Sequence, residues 1–206
     1  IADEQTHQKM ACLDTKAAAR MAILDPTLTL SQPARVTACT GMDAIAHAVE
    51  TAVTTKRSPL SLMFSREAFR LCMAAFPQVL LNPRDVDARG RMQLGAAFGG
   101  AAIENSMLGA AHAAANPLTA HFDITHGHAV GLMLPHVVRF NACDPAIAQA
   151  YGELACAARL AQPDDGLAMA VDRLSSRLQS LLELGGLPRS LGNCGVKPAD
   201  IPRLAE

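Results

Sequence analysis

The interior of this chain has to be built almost without aromatic rings. Half of its 206 residues are hydrophobic, yet it carries six Phe, one Tyr (Tyr151) and no Trp. Ala, Leu, Met and Val must therefore fill the core. That set suits closely packed helices better than a β-sandwich, whose pleated faces favour β-branched and aromatic side chains. The length fits one substantial domain or two small ones. A formal net charge of −1, with no Lys/Arg cluster, argues against nucleic acid or an anionic membrane as a partner. No run of about 18 uninterrupted apolar residues offers a membrane span. The six cysteines are scattered without a CxxC pair, so free thiols in a reducing cytosol are expected, with a cytoplasmic location.

Periodicity along the chain predicts a mostly α domain of seven or eight helices with a short strand at the front. ARMAILDP (19–26) reads as that strand, closed by Asp25-Pro26. Ser31 is the expected N-cap of a helix entered through Gln32 and Pro33 and running to about Thr54, with Gly41 as the point where it could break. Ser58-Pro59 opens the next, striped by Leu60, Met63, Phe64, Ala68, Leu71 and Cys72 and ending near Pro77. Asn82-Pro83 opens another, to about Ile103, with Met92, Leu94, Ala97 and Phe98 facing inward. Gly95, Gly99 and Gly100 cost helix propensity there, which suggests close approach of a helix or ligand. Residues 106–120 form a small-residue helix that could be buried on all sides. Further helices start at Pro145, ending near Leu160, and span 167–184, the latter strongly amphipathic and capped by Gly185-Gly186. The last element covers 198–204.

Four residues carry the chemistry. Asp43 and His47 lie i, i+4 in the Ala-rich block TGMDAIAHAVE, a spacing that puts both on one helix face. His112 and His126 lie in the block 109–136. One carboxylate and three imidazoles make a sensible set of ligands for a divalent transition metal. Each has a plainer reading: Asp43 supporting a helix turn, His47 covering an apolar face, His112 a satisfied core histidine among alanines, His126 a capping group. His121 and His128 read as ordinary surface or supporting histidines, His136 as structural, and His7 as exposed.

The blocks as wholes weigh against the plain readings. TGMDAIAHAVE, followed by His112, His126-Gly127 and LPHVVRFN (134–141), resembles the metal-binding half of the iron-containing (group III) alcohol dehydrogenases. LDPTLTLSQP (24–33) and GLPRSLGNCGVKPADIPRLAE (186–206) resemble the flanking segments of that family. The resemblance implies the all-helical C-terminal domain of the dehydroquinate synthase-like fold. It implies that Asp43, His47, His112 and His126 ligate ferrous iron, zinc or another divalent ion, and that the whole enzyme moves hydride between a small alcohol and NAD(P), with an aldehyde or ketone as the oxidised partner. A homo-oligomer is expected of the full-length protein.

Many members carry a further histidine four residues after the third ligand, thought to relay a proton; here that position is Asn116, whose amide cannot titrate. The family's Gly-rich phosphate turn is not found; GAAFGG (95–100) sits inside a helical pattern and reads as packing. Both ends of the sequence read as cut. Residues 1–30 are expected to be the tail of the dinucleotide-binding half and a connecting strand, with Lys9 matching a cofactor-contacting lysine of relatives. Residues 31–206 are expected to be the metal and substrate domain, truncated at its C-terminus. Such a fragment should hold metal but not turn over alone. Two alternatives are a carbonyl reductase of the maleylacetate reductase kind, disfavoured by the lack of clustered Arg or Lys near the ligands, and a non-catalytic helical module that binds metal.

Overall fold

The computed structural model describes Lys16 and residues 19–205, and these fold into eight α-helices with short 3-10 turns and no strand among them. The helices are α1 (Ala34–Thr51), α2 (Pro59–Leu81), α3 (Val86–Glu104), α4 (Ala110–Phe122), α5 (His126–Asn141), α6 (Pro145–Ala157), α7 (Leu167–Leu184) and α8 (Ile201–Leu204). None is long and apolar enough to cross a membrane.

Helix α1 is the centre of the bundle. Ala38, Met42, Ile45 and Val49 are all fully buried, at helical spacing. Helices α2, α3 and α5 pack around it, and α7 closes the far side of α5. Val130, Leu134 and Val138 of α5 meet Leu174, Leu178 and Leu181 of α7 in the same buried cluster. A polar link crosses this interior: the Thr51 and Ser65 hydroxyls are 2.7 Å apart, joining α1 to α2.

The helix boundaries follow ordinary local chemistry. Ser58 and Ser61 form a reciprocal capping box at the start of α2, with Pro59 in the first turn. Asp85 and Asp144 accept from first-turn amides of α3 and α6. Helix α7 ends in a Schellman turn: Gly186 (φ +65) lets Leu187 N–H donate to Leu182 O at 2.9 Å.

Expectations for four segments are corrected. The strand at 19–26 does not form. Residues 19–25 are irregular, with Met21 and Ile23 largely exposed, and lead into a 3-10 turn at Pro26–Thr29. A strand needs a partner for its ladder bonds, and none lies among the described residues. Helix α1 is capped at Pro33 rather than Ser31 and passes unbroken through Gly41, because that glycine is where the Phe76 ring seats against the helix. Helix α2 continues through Pro77 to Leu81; burial of Phe76 and Val79 on either side outweighs the lost backbone bond. Its core face keeps Ala68, Leu71 and Cys72 of the expected stripe and adds Ser61, Ser65, Phe69 and Phe76, leaving Leu60 and Met63 half-exposed. Helix α3 likewise buries Gly95 and Gly99 rather than Leu94, so α2 and α3 approach until a Cβ on Gly95 would stand 2.5 Å from Cys72 Sγ.

Candidate metal centre

The polar face of α1 carries Asp43, His47 and Glu50, at i, i+4 and i+7. The helix is packed on nearly every side, so these groups must find partners inside the molecule. They face the N-terminal ends of α4 and α5.

Helix α5 begins at His126, which follows the N-cap Thr125. Its second residue is Gly127, and a Cβ there would lie 2.1 Å from the Cys39 carbonyl oxygen and 3.1 Å from Asp43 Cβ. The missing side chain lets the start of α5 rest directly on the α1 backbone, which carries the His126 ring to Asp43. Helix α4 begins after Gly109, where a Cβ would stand 2.9 Å from Glu50 Oε1. His112 is the third residue of that helix and is only 5% exposed.

Asp43, His112 and His126 thereby converge. Each offers one ligand atom, and these atoms all lie within 4.8 Å of one another. Asp43 Oδ1 is 3.3 Å from His112 Nε2 and 3.8 Å from His126 Nε2. His47 Nε2 stands 3.5 Å from Asp43 Oδ2, and its ring stacks on His112 with centroids 5.0 Å apart. His47 thus borders the cluster through Asp43 and His112.

The electrostatics express the crowding of these groups. Burial pushes the Asp43 carboxyl up, but the nearby His112, with the charges of His47 and His126, outweighs it and holds it below the ordinary carboxylate range. Burial pulls His112 down, yet Asp43 and Glu50 together raise it to about 9. Asp43 Oδ1 and His112 Nε2 are buried and complete no hydrogen bond. A buried carboxylate oxygen and a buried imidazole nitrogen that face each other without completing a hydrogen bond, beside a further imidazole, are a donor set that a bound cation would satisfy. One carboxylate with imidazoles is a donor set that iron(II) and zinc both accept.

The remaining described histidines do not join this cluster. His128 is buried and shares a 2.8 Å hydrogen bond with Pro188 O, tying the 187–196 segment to α5. His121 is exposed, and so is His136, which has no structural role in the core. Asn116 lies one turn after His112 on α4 and is exposed. Lys9 and His7 lie outside the described residues.

Glu50 was part of the quoted block but received no role from the sequence. It is 2% exposed; its Oε1 accepts from Ala111 N–H at 2.6 Å, and its Oε2 meets His112 Nδ1. The signal for it was the i+7 register with Asp43.

Comparison with known proteins identifies the family. The profile of the Fe-containing alcohol dehydrogenase family, C-terminal, matches residues 37–206. The chain is 31% identical to 1,3-propanediol dehydrogenase of Klebsiella pneumoniae, across 100% of its own length and 53% of that protein's. It is 31% identical to the NAD-dependent methanol dehydrogenase of Bacillus methanolicus, across 100% of its length and 54% of that protein's. It therefore spans about half the length of the curated relatives it matches. Among solved structures, a 1,3-propanediol oxidoreductase superposes with a TM-score of 0.83 at 31% identity, covering 88% of this chain and 47% of the other. The chain belongs to the iron-containing alcohol dehydrogenase family, to the C-terminal region that the family profile describes.

Proposed function

We propose that this region is the metal- and substrate-binding domain of an NAD(P)-dependent alcohol dehydrogenase, with Asp43, His47, His112 and His126 holding one divalent ion, iron(II) or zinc. The observation that carries this reading is the convergence of Asp43, His112 and His126 from three helices, with buried ligand atoms that nothing else satisfies on Asp43 and His112. When bound, the ion supplies a Lewis acid that stabilises negative charge on an alcohol oxygen, or polarises a carbonyl in the reverse direction, for hydride transfer to or from the nicotinamide.

The side chains set the terms of that chemistry. Asp43 would supply the single anionic ligand and three neutral imidazoles the rest, so a divalent ion held there would keep a net positive charge beside the alcohol oxygen. Asp43, His47 and His126 side chains are each about a quarter exposed (25%, 23% and 25%), so one side of the centre stays open to substrate. Asn116 occupies the position of the usual relay histidine, and its amide neither gives nor takes a proton. The alcohol proton then leaves through water or another group. Residues 31–206 form this domain, and residues 1–30 are the tail of the dinucleotide-binding half. Lys9 is our candidate for a contact with the cofactor ribose. The rest of the NAD(P) site is assigned to the half of the relatives that this chain does not span.

The test is elemental analysis of the anaerobically purified full-length protein beside Asp43→Asn and His126→Ala. Near-stoichiometric iron or zinc, lost in both variants together with alcohol oxidation, is the expected result. Wild-type protein that takes up neither ion after anaerobic addition would refute the reading.

A further inference from the structure

Helix α4 starts without a side-chain cap of its own: its N-cap is Gly109. The capping group comes instead from another helix. Glu50, two turns along α1 from Asp43, reaches across to accept the Ala111 N–H through Oε1. Its other oxygen meets Nδ1 of His112. The carboxylate is 2% exposed, and no Lys or Arg pairs with it among the described residues. A buried carboxylate with no Lys or Arg beside it is costly unless its acceptors are filled, and here a helix N-terminus and the His112 ring fill them. Gly109 is the residue that admits it, since a Cβ there would press on Oε1 at 2.9 Å.

The arrangement has a directional consequence. An ionised carboxylate only accepts hydrogen bonds, so the Glu50 contact keeps the proton on Nδ1 of His112. The lone pair of the neutral ring is then on Nε2, the nitrogen 3.3 Å from Asp43 Oδ1. The same carboxylate fixes where α4 begins, and therefore where the ring sits.

We propose that Glu50 is a positioning residue for the metal centre: by bridging the first turn of α4 and Nδ1 of His112, it selects the tautomer and orientation in which His112 can ligate. This rests on the assignment of His112 as a ligand. Supporting carboxylates of this kind typically contribute about 10–100-fold to metal affinity.

Glu50→Gln separates positioning from mere space-filling. The amide has one acceptor oxygen where two are needed. With that oxygen on Ala111 N–H, its NH2 faces Nδ1 and drives the proton to Nε2, the wrong nitrogen for ligation. The experiment compares the full-length protein, Glu50→Gln and His112→Ala by Co(II) titration against a competing chelator, with the visible Co(II) spectrum recorded for each and thermal melting of the metal-free forms as a folding control. The expected result is wild-type binding at one ion per chain, loss in His112→Ala, and affinity about 10–100-fold weaker in Glu50→Gln with a changed spectrum and a folded metal-free state. Wild-type affinity and spectrum in a folded Glu50→Gln would overturn the positioning role while leaving the ligand assignment standing. Failure of the wild type to bind would sink both. If Glu50→Gln does not fold, Glu50→Asp is read in its place: its shorter arm cannot reach both partners, so weakening of about tenfold or more supports the role and a change under about twofold overturns it.

Discussion

Gly127→Ala should damage a helix that alanine would ordinarily strengthen. Within a helix, alanine is better than glycine by about 1 kcal/mol, so the exchange is favourable on propensity alone. The structure reverses the sign. The new Cβ would lie 2.1 Å from the Cys39 carbonyl oxygen, 2.7 Å from its carbon and 3.1 Å from Asp43 Cβ. Ordinary van der Waals contact begins near 3.4 Å, so α5 must retreat from the α1 backbone by about 1 Å, with no flexible side chain to absorb the move. Overpacking of this kind costs roughly 1–3 kcal/mol, occasionally more. In a domain of this size each kcal/mol shifts the melting temperature by about 2–4 °C. The retreat also takes the His126 ring away from Asp43, already 3.8 Å distant, so metal affinity should fall with stability. The control is Gly100→Ala on α3, where the added Cβ meets nothing within 4 Å. That variant should gain about 0.5–1 kcal/mol and keep its metal affinity. Calorimetric melting and metal titration of both variants check the pair. A Gly127→Ala protein that melts at or above wild type and binds metal equally well would refute the claim that backbone contact sets the His126 position.

Leu174→Ala empties a fully buried site between α5 and α7 and should cost about 2–5 kcal/mol by urea unfolding, with metal stoichiometry in the folded fraction unchanged. Ser58→Ala removes the side-chain half of the α2 capping box and should cost about 1 kcal/mol, whereas Ser58→Asp should be close to neutral. The pH dependence follows from His112, raised from 6.5 to about 9 in the metal-free fold. Because the folded value lies above the unfolded one, its contribution to metal-free stability is fully present below pH 6.5 and is lost as pH rises through about 9. Metal binding needs that proton gone, so apparent affinity should climb over the same window. Titration calorimetry at pH 7 in buffers of different ionisation enthalpy should count about one proton released per ion, and a count near zero would contradict the assignment.

Much of this architecture could be read in advance because its signals are local. The i, i+4 pair Asp43 and His47, the Ser58-Pro59 start and the Gly185-Gly186 stop depend on neighbours within one or two turns. The misreadings share another origin. Pro77 looks like a terminator, but tertiary burial of Phe76 and Val79 carries the helix past it. On α3, Met92 and Phe98 pack on the core as expected, but Leu94 and Ala97 do not, and closeness to α2 and α1 selects Gly95 and Gly99 there. Residues 19–26 have the composition of a strand and no partner to make one. Within the candidate centre, the converging residues could be named from spacing and family resemblance. The Glu50 bridge could not, because it depends on where α4 begins relative to α1, sixty residues away in sequence.

Helix α4 lies mainly against α5 and touches α1 at few points. It has Pro117 in its interior, a glycine at its start and Asp123 in a left-handed turn at its end. Apart from its packing on α5, its tie to α1 runs through the groups around His112. An ion bound there would work as a crosslink between stretches of chain far apart in sequence, and chelation would loosen one helix without melting the molecule. Occupancy should then be legible as local dynamics: after metal removal, amide exchange should quicken along 110–122, while the amides of α2 and α7 keep their protection.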